Sequence, residues 1–290
     1  MLTLHHNIPK MKRTLALIIV LLLAGRLFAY DIINPVGGRA AAMGRSSVAS
    51  QGLWSILNNP AGLAGLDKMK LGIYYENYWM LDATAYKSAA FAIPLNYGTI
   101  GLSFNQFGYS KFSENKFGLA YARDFGRYLQ IGLQLDYYLL NAGENYGKKS
   151  AITFELGIQS KITDKLTLGT YIFNPASLTL RQTINNEPLP IVFRFGASYR
   201  FTKEFLGQLE VEKNTELSGC SFRGGVEYEA FKDFFIRAGA QIGTNPQNQQ
   251  GILTFGLGYK IRFAEINIAG QMHQALGNAV QIGMIFSFGK

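Results

Sequence analysis

Residues 129–137 read LQIGLQLDY, and the alternation in this stretch decides how the chain folds. Apolar side chains occupy every second position from Leu129 to Tyr137, and glutamine, glycine or aspartate occupies the positions between them. Successive side chains of a β-strand point to opposite faces, so a period of two predicts a strand with one apolar and one polar face. The same period recurs in segments from residue 68 to the end of the chain.

These alternating segments are about ten residues long, and turn residues separate them. We predict about 14 strands, at 68–80, 86–95, 98–110, 114–125, 128–140, 150–161, 164–173, 190–201, 204–213, 219–230, 232–243, 250–260, 262–272 and 277–289. An even number of such strands suits a closed antiparallel barrel with lipid on its outer face. Soluble sandwiches and propellers also alternate, but no helical pattern here could cover an apolar face that recurs in every segment. The sequence therefore predicts an all-β transmembrane antiparallel barrel over residues 68–290.

The connections between predicted strands alternate between short and long. Residues 96–98 and 125–127 form short connections, while residues 141–149 and 174–189 form long ones. Transmembrane barrels have short periplasmic turns and longer external loops, so the first strand is predicted to start on the periplasmic side. Aromatic residues near the strand ends are predicted to lie at the two membrane interfaces. Those beside short turns are Phe125, Tyr128, Phe201, Phe205, Phe231, Phe234 and Phe263, and those beside long loops are Tyr78, Trp79, Phe107, Tyr109, Tyr137 and Phe173.

Residues 30–67 precede the first predicted strand and lack the alternation. Residues 37–44 read GGRAAAMG, residues 58–66 read NNPAGLAGL, and Asn59-Pro60-Ala61 has the composition of a turn. Such small residues allow close contact with other backbone. Glycines on the predicted inner face of the strands leave room for a packed segment, at Gly72, Gly101, Gly118, Gly132, Gly157, Gly169, Gly196, Gly225, Gly239 and Gly256.

The two motifs resemble the N-terminal hatch of the long-chain fatty-acid transporter (FadL-like) superfamily of outer-membrane barrels. The resemblance is greater to the short PorV/PorQ-type members of that superfamily. The matching residues are Gly37, Gly38, Met43, Gly44, Asn59, Pro60, Ala61 and Gly62. The family usually carries acidic residues between the two motifs, where this chain has Ser50-Gln51-Gly52-Leu53-Trp54. The resemblance implies that residues 30–67 form a small hatch inside the lumen of the barrel.

The first 29 residues have the composition of a signal peptide. Lys12 and Arg13 precede an apolar run from Leu15 to Leu23, and Ala29 places a small residue at the cleavage point. A membrane span takes about 20 residues, so this run is too short to serve as an anchor. Cleavage lowers the formal charge from +9 to +5, because four basic residues and no acidic ones are removed. We predict an outer-membrane protein of a Gram-negative bacterium, in contact with outer-membrane lipids.

Few residues offer catalytic or metal-binding chemistry. His273 is the only histidine after residue 29, and no serine lies within six residues of it, so a hydrolase triad has no local support. Cys220 is the single cysteine, which excludes an intrachain disulfide and a cysteine-cluster metal site. Basic residues are dispersed, and phosphate-binding glycine loops are absent. The sequence therefore predicts no enzyme, no metal, no cofactor and no nucleic-acid partner.

Charged residues share the predicted inner face with the glycines. Enclosed charges need partners, so we expect a salt-bridged lumen that also bonds the hatch, although each charge taken alone could equally line water. The predicted network consists of Glu155, Arg194, Arg200, Arg223, Glu227 and Arg237.

Two functions are open from the sequence. The PorV/PorQ resemblance implies a non-enzymatic accessory barrel of type IX protein secretion and surface attachment, with secretion components or exported proteins as partners. The wider FadL-like resemblance implies a channel for hydrophobic small molecules. Because the predicted inner face is charged, amide or glycine, and a hydrophobic ligand prefers an apolar lining, the secretion role is the predicted function and the channel is the alternative.

Overall fold

The computed structural model describes residues 33–143, 147–180, 187–244, 251–273 and 277–289. The predicted signal peptide, residues 1–29, lies outside these ranges. Within them the chain forms a hatch, residues 33–66, followed by a barrel that begins at Met69.

Fourteen antiparallel strands of the described residues close into one barrel. They are β1 (Met69–Tyr78), β2 (Ala85–Leu95), β3 (Gly98–Gly108), β4 (Ser113–Phe125), β5 (Leu129–Asn141), β6 (Lys148–Lys161), β7 (Leu166–Phe173), β10 (Val192–Arg200), β11 (Phe205–Asn214), β12 (Ser221–Phe231), β13 (Phe234–Gly243), β14 (Ile252–Ile261), β15 (Ala264–His273) and β16 (Gly277–Phe288). Two short strands, β8 (Thr179–Leu180) and β9 (Glu187–Pro188), form a separate hairpin between β7 and β10. The predicted fold class is confirmed, because each predicted segment overlaps one barrel strand.

Closure of the barrel depends on the first and last strands. β1 pairs with β16 over ten residues, from Met69 opposite Phe288 to Tyr78 opposite Ala279. Every barrel strand among the described residues therefore has two hydrogen-bonded neighbours. A bilayer interior offers no water to an unpaired backbone group, so this closure is what allows strands to cross it.

The two faces of the wall differ in polarity as predicted. On the outer face, Leu133 and Phe255 are 51% and 52% exposed. On the inner face, Gln134 and Asp136 are fully buried. The outer face of the barrel therefore carries apolar side chains, and polar side chains such as Gln134 and Asp136 are enclosed in the lumen.

The hatch contains three short helices and lies within the barrel. They are α1 (Gly38–Ala42), α2 (Ser55–Asn58) and a 3-10 helix at Pro60–Gly65. Within the described ranges, no helix combines the length and the apolar character needed to cross a membrane.

The predicted turn at Asn59-Pro60-Ala61 is the start of the 3-10 helix. The Asn59 Oδ1 atom accepts a hydrogen bond from the N–H of Ala61 at 3.2 Å, and Pro60 occupies the first position, where no N–H is required. A reciprocal pair of hydrogen bonds joins the beginning of the hatch to α2. The N–H of Val36 donates to Asn58 Oδ1 at 2.8 Å, and Asn58 Nδ2 donates to the Val36 carbonyl at 2.9 Å.

Candidate functional site

The hatch lies against glycines of the barrel wall. Three pairs of glycines face each other across neighbouring strands, namely Gly132 and Gly157, Gly169 and Gly196, and Gly225 and Gly239. A Cβ atom on either member of the first pair would collide with residues 59–61. The second pair contacts Val48, and the third contacts Met43 and Gly44. Wall glycines thus let the hatch backbone touch the strands, a contact that side chains would prevent.

The first hatch motif is fixed by close contacts and by a threonine of the wall. Gly44 lies in the left-handed region at φ +64°, and its N–H donates to Thr254 Oγ1 at 2.8 Å. The same hydroxyl donates to the Ala42 carbonyl at 2.9 Å. A Cβ on Gly38 would lie 2.7 Å from the Cβ of Asn267, so α1 also approaches β15 closely.

The second hatch motif is fixed by backbone contacts around a buried asparagine. Asn59 is fully buried, and its Nδ2 donates to the Val48 carbonyl at 2.6 Å. The N–H of Gly62 donates to the Asn59 carbonyl at 3.0 Å, while the Gly62 carbonyl accepts from Gly52 at 3.3 Å. Asn59 therefore joins separate parts of the hatch to one another, and it also donates to the Ile158 and Thr170 carbonyls of the wall.

Glu210 connects the wall to the middle of the hatch. Its Oε2 atom accepts hydrogen bonds from the N–H groups of Ser47 and Val48, at 2.7 and 2.8 Å. Its Oε1 atom accepts from Arg223 at 3.1 Å. A buried carboxylate that takes two backbone donors holds its position strongly, because removing the partners would leave the charge unsolvated.

Arg45 forms the most buried ion pair between hatch and wall. Its guanidinium contacts the Glu76 carboxylate and also donates to the Pro35 carbonyl and to Tyr78 Oη, each at 3.0 Å. Burial by itself lowers the pKa of Arg45, but Glu76 and the neighbouring Tyr78 and Tyr74 outweigh it and raise that pKa well above its ordinary value. The guanidinium therefore stays charged and keeps Glu76 compensated.

A second ion pair joins α1 to the opposite side of the wall. Arg39 binds Glu227 through two hydrogen bonds, of 2.7 and 2.8 Å. Arg237 donates to the same carboxylate at 2.6 Å and to Asn267 at 2.6 Å. Glu227 thus lies between one arginine of the hatch and one of the wall.

Two further arginines of the wall share Glu212. Arg194 donates to it at 2.6 Å, and Arg223 donates to it at 2.8 Å. Arg194 also reaches the hatch, because its Nη2 donates to the Ile33 carbonyl at 2.5 Å. Arg194, Arg223, Glu210 and Glu212 therefore form one connected set of charges that also bonds the hatch backbone.

Sequence reasoning left out Lys116, the partner of Glu155. Lys116 and Glu155 form an ion pair of 2.5 Å, with side chains 2% and 0% exposed. Lys116 shares the inward parity of Gly118 in the same strand, so the alternation contained this signal. Arg39 and Arg45 were missed for a different reason, because the hatch has no strand periodicity from which to read a direction.

Arg200 lies apart from the other predicted network residues. Its side chain is exposed, and its Nη1 donates to the Lys203 carbonyl at 3.2 Å, beside a short turn. It follows the inner-face parity, but it stands at the last position of β10, where the lumen opens to water.

At the end of the lumen near the longer connections, buried apolar side chains lie among the buried polar side chains of Glu114, Lys149 and Asn174, and we call the apolar ones the external apolar layer. Its members are less than 9% exposed and comprise Tyr86, Phe107, Tyr138, Leu140, Phe173, Leu180, Leu189 and Val192. Tyr78, Phe107 and Phe173 were predicted to lie at the membrane interface, but they are buried inside. The interface prediction was wrong for these three rings, and the predicted inner face of charged, amide and glycine residues was wrong at this end of the lumen.

A line of rings runs from the hatch into the external apolar layer, and we call it the aromatic row. Trp54 of the hatch contacts Tyr74 with ring centroids 5.9 Å apart. Tyr74 contacts Tyr86 at 6.4 Å, and Tyr86 contacts Phe107 at 6.5 Å. The row passes through β1, β2 and β3, which are adjacent strands.

Two cavities lie toward the short-turn end of the barrel. The hatch cavity, about 420 Å³, separates the hatch from the wall and is lined by Trp54, Arg39, Glu227 and Lys260 among others. The rim cavity, about 520 Å³, is lined largely by basic and polar side chains, including Arg127 and Lys161. Charged side chains thus line both of these cavities, whereas the external end combines the external apolar layer with buried Glu114 and Lys149.

Comparison with solved structures shows a shared fold. The "CymD monoaromatic hydrocarbon channel" has a TM-score of 0.66 and 14% identity, with 90% of this chain and 100% of that chain covered. The Ralstonia pickettii toluene transporter TbuX has a TM-score of 0.65 and 14% identity over 90% of this chain and 100% of that chain. A Pseudomonas aeruginosa FadL homologue has a TM-score of 0.61 and 12% identity, covering 87% and 97%.

No family model matches the chain, and no curated protein sequence matches it either. The chain therefore has a FadL-like barrel fold, and the finer PorV/PorQ resemblance is not supported. The predicted accessory role in protein secretion was wrong, because the similar structures are hydrocarbon channels and transporters.

Proposed function

We propose that this protein is a channel for hydrophobic small molecules in the outer membrane of a Gram-negative bacterium. Residues 1–29 direct its export and are removed. The external apolar layer carries this proposal, because a hydrophobic molecule needs an apolar lining in order to leave the outside water. The shared fold supports it, since CymD and TbuX are described as a hydrocarbon channel and a toluene transporter.

The positions of the external apolar layer, the aromatic row and the hatch cavity along the lumen suggest a route for the transported molecule. A hydrophobic molecule first meets exposed Met80 and Leu81, which lie between β1 and β2 and are 73% and 54% exposed. It then enters the external apolar layer and follows the aromatic row to Trp54. Past Trp54 it reaches the hatch cavity, from which it leaves on the short-turn side.

The hatch makes the route selective. Ions and water cross apolar surfaces poorly, and the ion pairs of Arg39 and Arg45 hold the hatch across the lumen. A hydrophobic molecule can instead partition into the external apolar layer. The barrel thus admits apolar molecules while it remains closed to polar solutes.

Uptake by whole cells tests the proposal. A Gram-negative host that produces the protein should take up N-phenylnaphthylamine, a hydrophobic fluorophore, several-fold faster than a host that lacks it. Phe107→Gln should reduce the gain, because it places an amide in the external apolar layer. Tyr109→Gln is the matched control, since Tyr109 is 46% exposed and lies outside that layer. Uptake equal to that of the empty host would refute the channel.

A further inference from the structure

Trp54 occupies the junction between the aromatic row and the hatch cavity. Its side chain contacts Tyr74, and the residue also lines the hatch cavity. It is 8% exposed, so little of the residue is open to solvent. A molecule that moves along the aromatic row toward the cavity therefore meets this ring.

Two glycines leave a slot for the indole. A Cβ on Gly37 would lie 2.7 Å from Trp54 Cδ1, and Gly37 itself has φ +108°. A Cβ on Gly72 of β1 would lie 3.0 Å from Trp54 Cζ2. The ring therefore lies close to glycine backbone at two points, and neither glycine has a side chain that could block its rotation.

The indole N–H is unsatisfied in this slot. Trp54 Nε1 is buried, and no described group accepts a hydrogen bond from it. A buried tryptophan normally finds an acceptor, and an unmet donor costs free energy. The lining of the hatch cavity includes side chains with acceptor oxygens, among them Ser46 and Glu265. A rotation of the indole toward the cavity would therefore give the N–H partners that the slot lacks.

The rest of the hatch is held too firmly to move as a whole. Releasing it would expose the buried carboxylates of Glu76 and Glu210, which Arg45 and the N–H groups of Ser47 and Val48 now satisfy. A side-chain rotation breaks none of these bonds. A moving ring is thus the less costly way to open a passage past the hatch.

We infer that Trp54 is the gating residue of the channel, an inference that rests on the proposed function. When a hydrophobic molecule reaches Tyr74, the indole turns from its slot into the hatch cavity and its N–H gains an acceptor. The vacated slot then joins the aromatic row to the cavity, and the molecule passes between the hatch and β1.

Fluorescence tests the movement directly, because the chain has two tryptophans. In a Trp79→Phe variant of the full-length protein, all tryptophan fluorescence comes from Trp54. Adding toluene should shift its emission to the red and raise its quenching by acrylamide, as the ring leaves an apolar slot for a polar cavity. Trp54→Phe, which leaves Trp79 as the tryptophan reporter, is the control. The inference that Trp54 is the gate would be refuted if toluene left the emission of Trp54 unchanged in a protein that takes up N-phenylnaphthylamine.

Transport distinguishes failure of the gate from failure of the channel. Trp54→Ala should speed N-phenylnaphthylamine uptake several-fold over the unsubstituted protein, whereas Leu57→Ala should not. Leu57 is a matched control because it too is buried, lies in α2 three residues after Trp54, and does not line the hatch cavity. Equal uptake by Trp54→Ala and the unsubstituted protein would refute the gate and leave the channel standing. No uptake by the unsubstituted protein would refute both.

Discussion

At the scale of the residue, a charge on the outer wall should be costly in proportion to its depth in the membrane. Leu133 lies near the middle of β5, and Leu95 lies at the end of β2 beside a short turn. Both are exposed on the outer face, at 51% and 52%. Leu133→Arg should therefore lower the unfolding free energy in lipid by about 2–4 kcal/mol, and Leu95→Arg by about 0–1 kcal/mol. Denaturant titration in vesicles measures both. Equal losses would mean that β5 does not cross the bilayer as described.

Buried and exposed ion pairs should differ in how much they contribute to the free energy of unfolding. Arg45→Ala leaves Glu76 buried and uncompensated, so we expect a loss of about 3–5 kcal/mol of unfolding free energy. Arg127→Ala removes a pair with Asp164 whose side chains are 69% and 88% exposed. Solvent screens that pair, and its loss should cost about 0–1 kcal/mol. Denaturant titration of the two variants compares them. A small effect of Arg45→Ala would show that water reaches Glu76.

At the scale of the element, the hatch depends on glycines of the wall. Gly132→Val places side-chain atoms where residues 60 and 61 lie, so the hatch must shift. Such overpacking should lower the free energy of unfolding by about 1–3 kcal/mol. Trypsin should then cleave after Arg39 and Arg45, which the native hatch shields. Gly270→Val is the control, since nothing lies within 4 Å of a Cβ there. Rapid cleavage in both variants, or in neither, would contradict the close contact at Gly132.

The hatch and the barrel should also be separable. The barrel is closed by the pairing of β1 with β16, which the hatch does not form. Deletion of residues 37–66 should therefore leave a barrel that assembles, while the lumen fills with water and conducts ions. Conductance of single barrels in a planar bilayer measures this. High conductance before the deletion would contradict the closed lumen, and a deleted barrel that fails to assemble would assign the hatch to folding.

At the scale of the whole molecule, we expect a mature protein that begins near residue 30 and fractionates with the outer membrane. Mass spectrometry of the purified membrane protein determines the first residue. The folded barrel should migrate faster on a gel than the boiled protein, because a closed barrel resists detergent until it is heated. A soluble periplasmic product, or a retained N-terminus, would contradict the predicted export and cleavage.

The sequence by itself determined the wall. Each strand needs an apolar side chain toward lipid at every second position, so the period of two revealed all 14 barrel strands and their inner and outer faces. The inner glycines were visible for the same reason, and nine of the ten predicted ones approach hatch atoms; the tenth, Gly118, faces Ser103 and Gln134. These features are local, because strand geometry fixes them without reference to distant residues.

Only the tertiary structure decided what fills the lumen. Parity indicates that Glu76 and Glu227 point inward, but their partners Arg45 and Arg39 come from a segment without strand periodicity. Likewise, a ring near a strand end, such as Phe107, lies in the lumen or at the membrane interface according to its neighbours across the barrel. Burial depends on residues that are distant in sequence, because closure of the sheet and docking of the hatch bring them together. The local sequence pattern therefore specified the barrel wall, whereas long-range contacts specified the external apolar layer, the ion pairs and the position of Trp54.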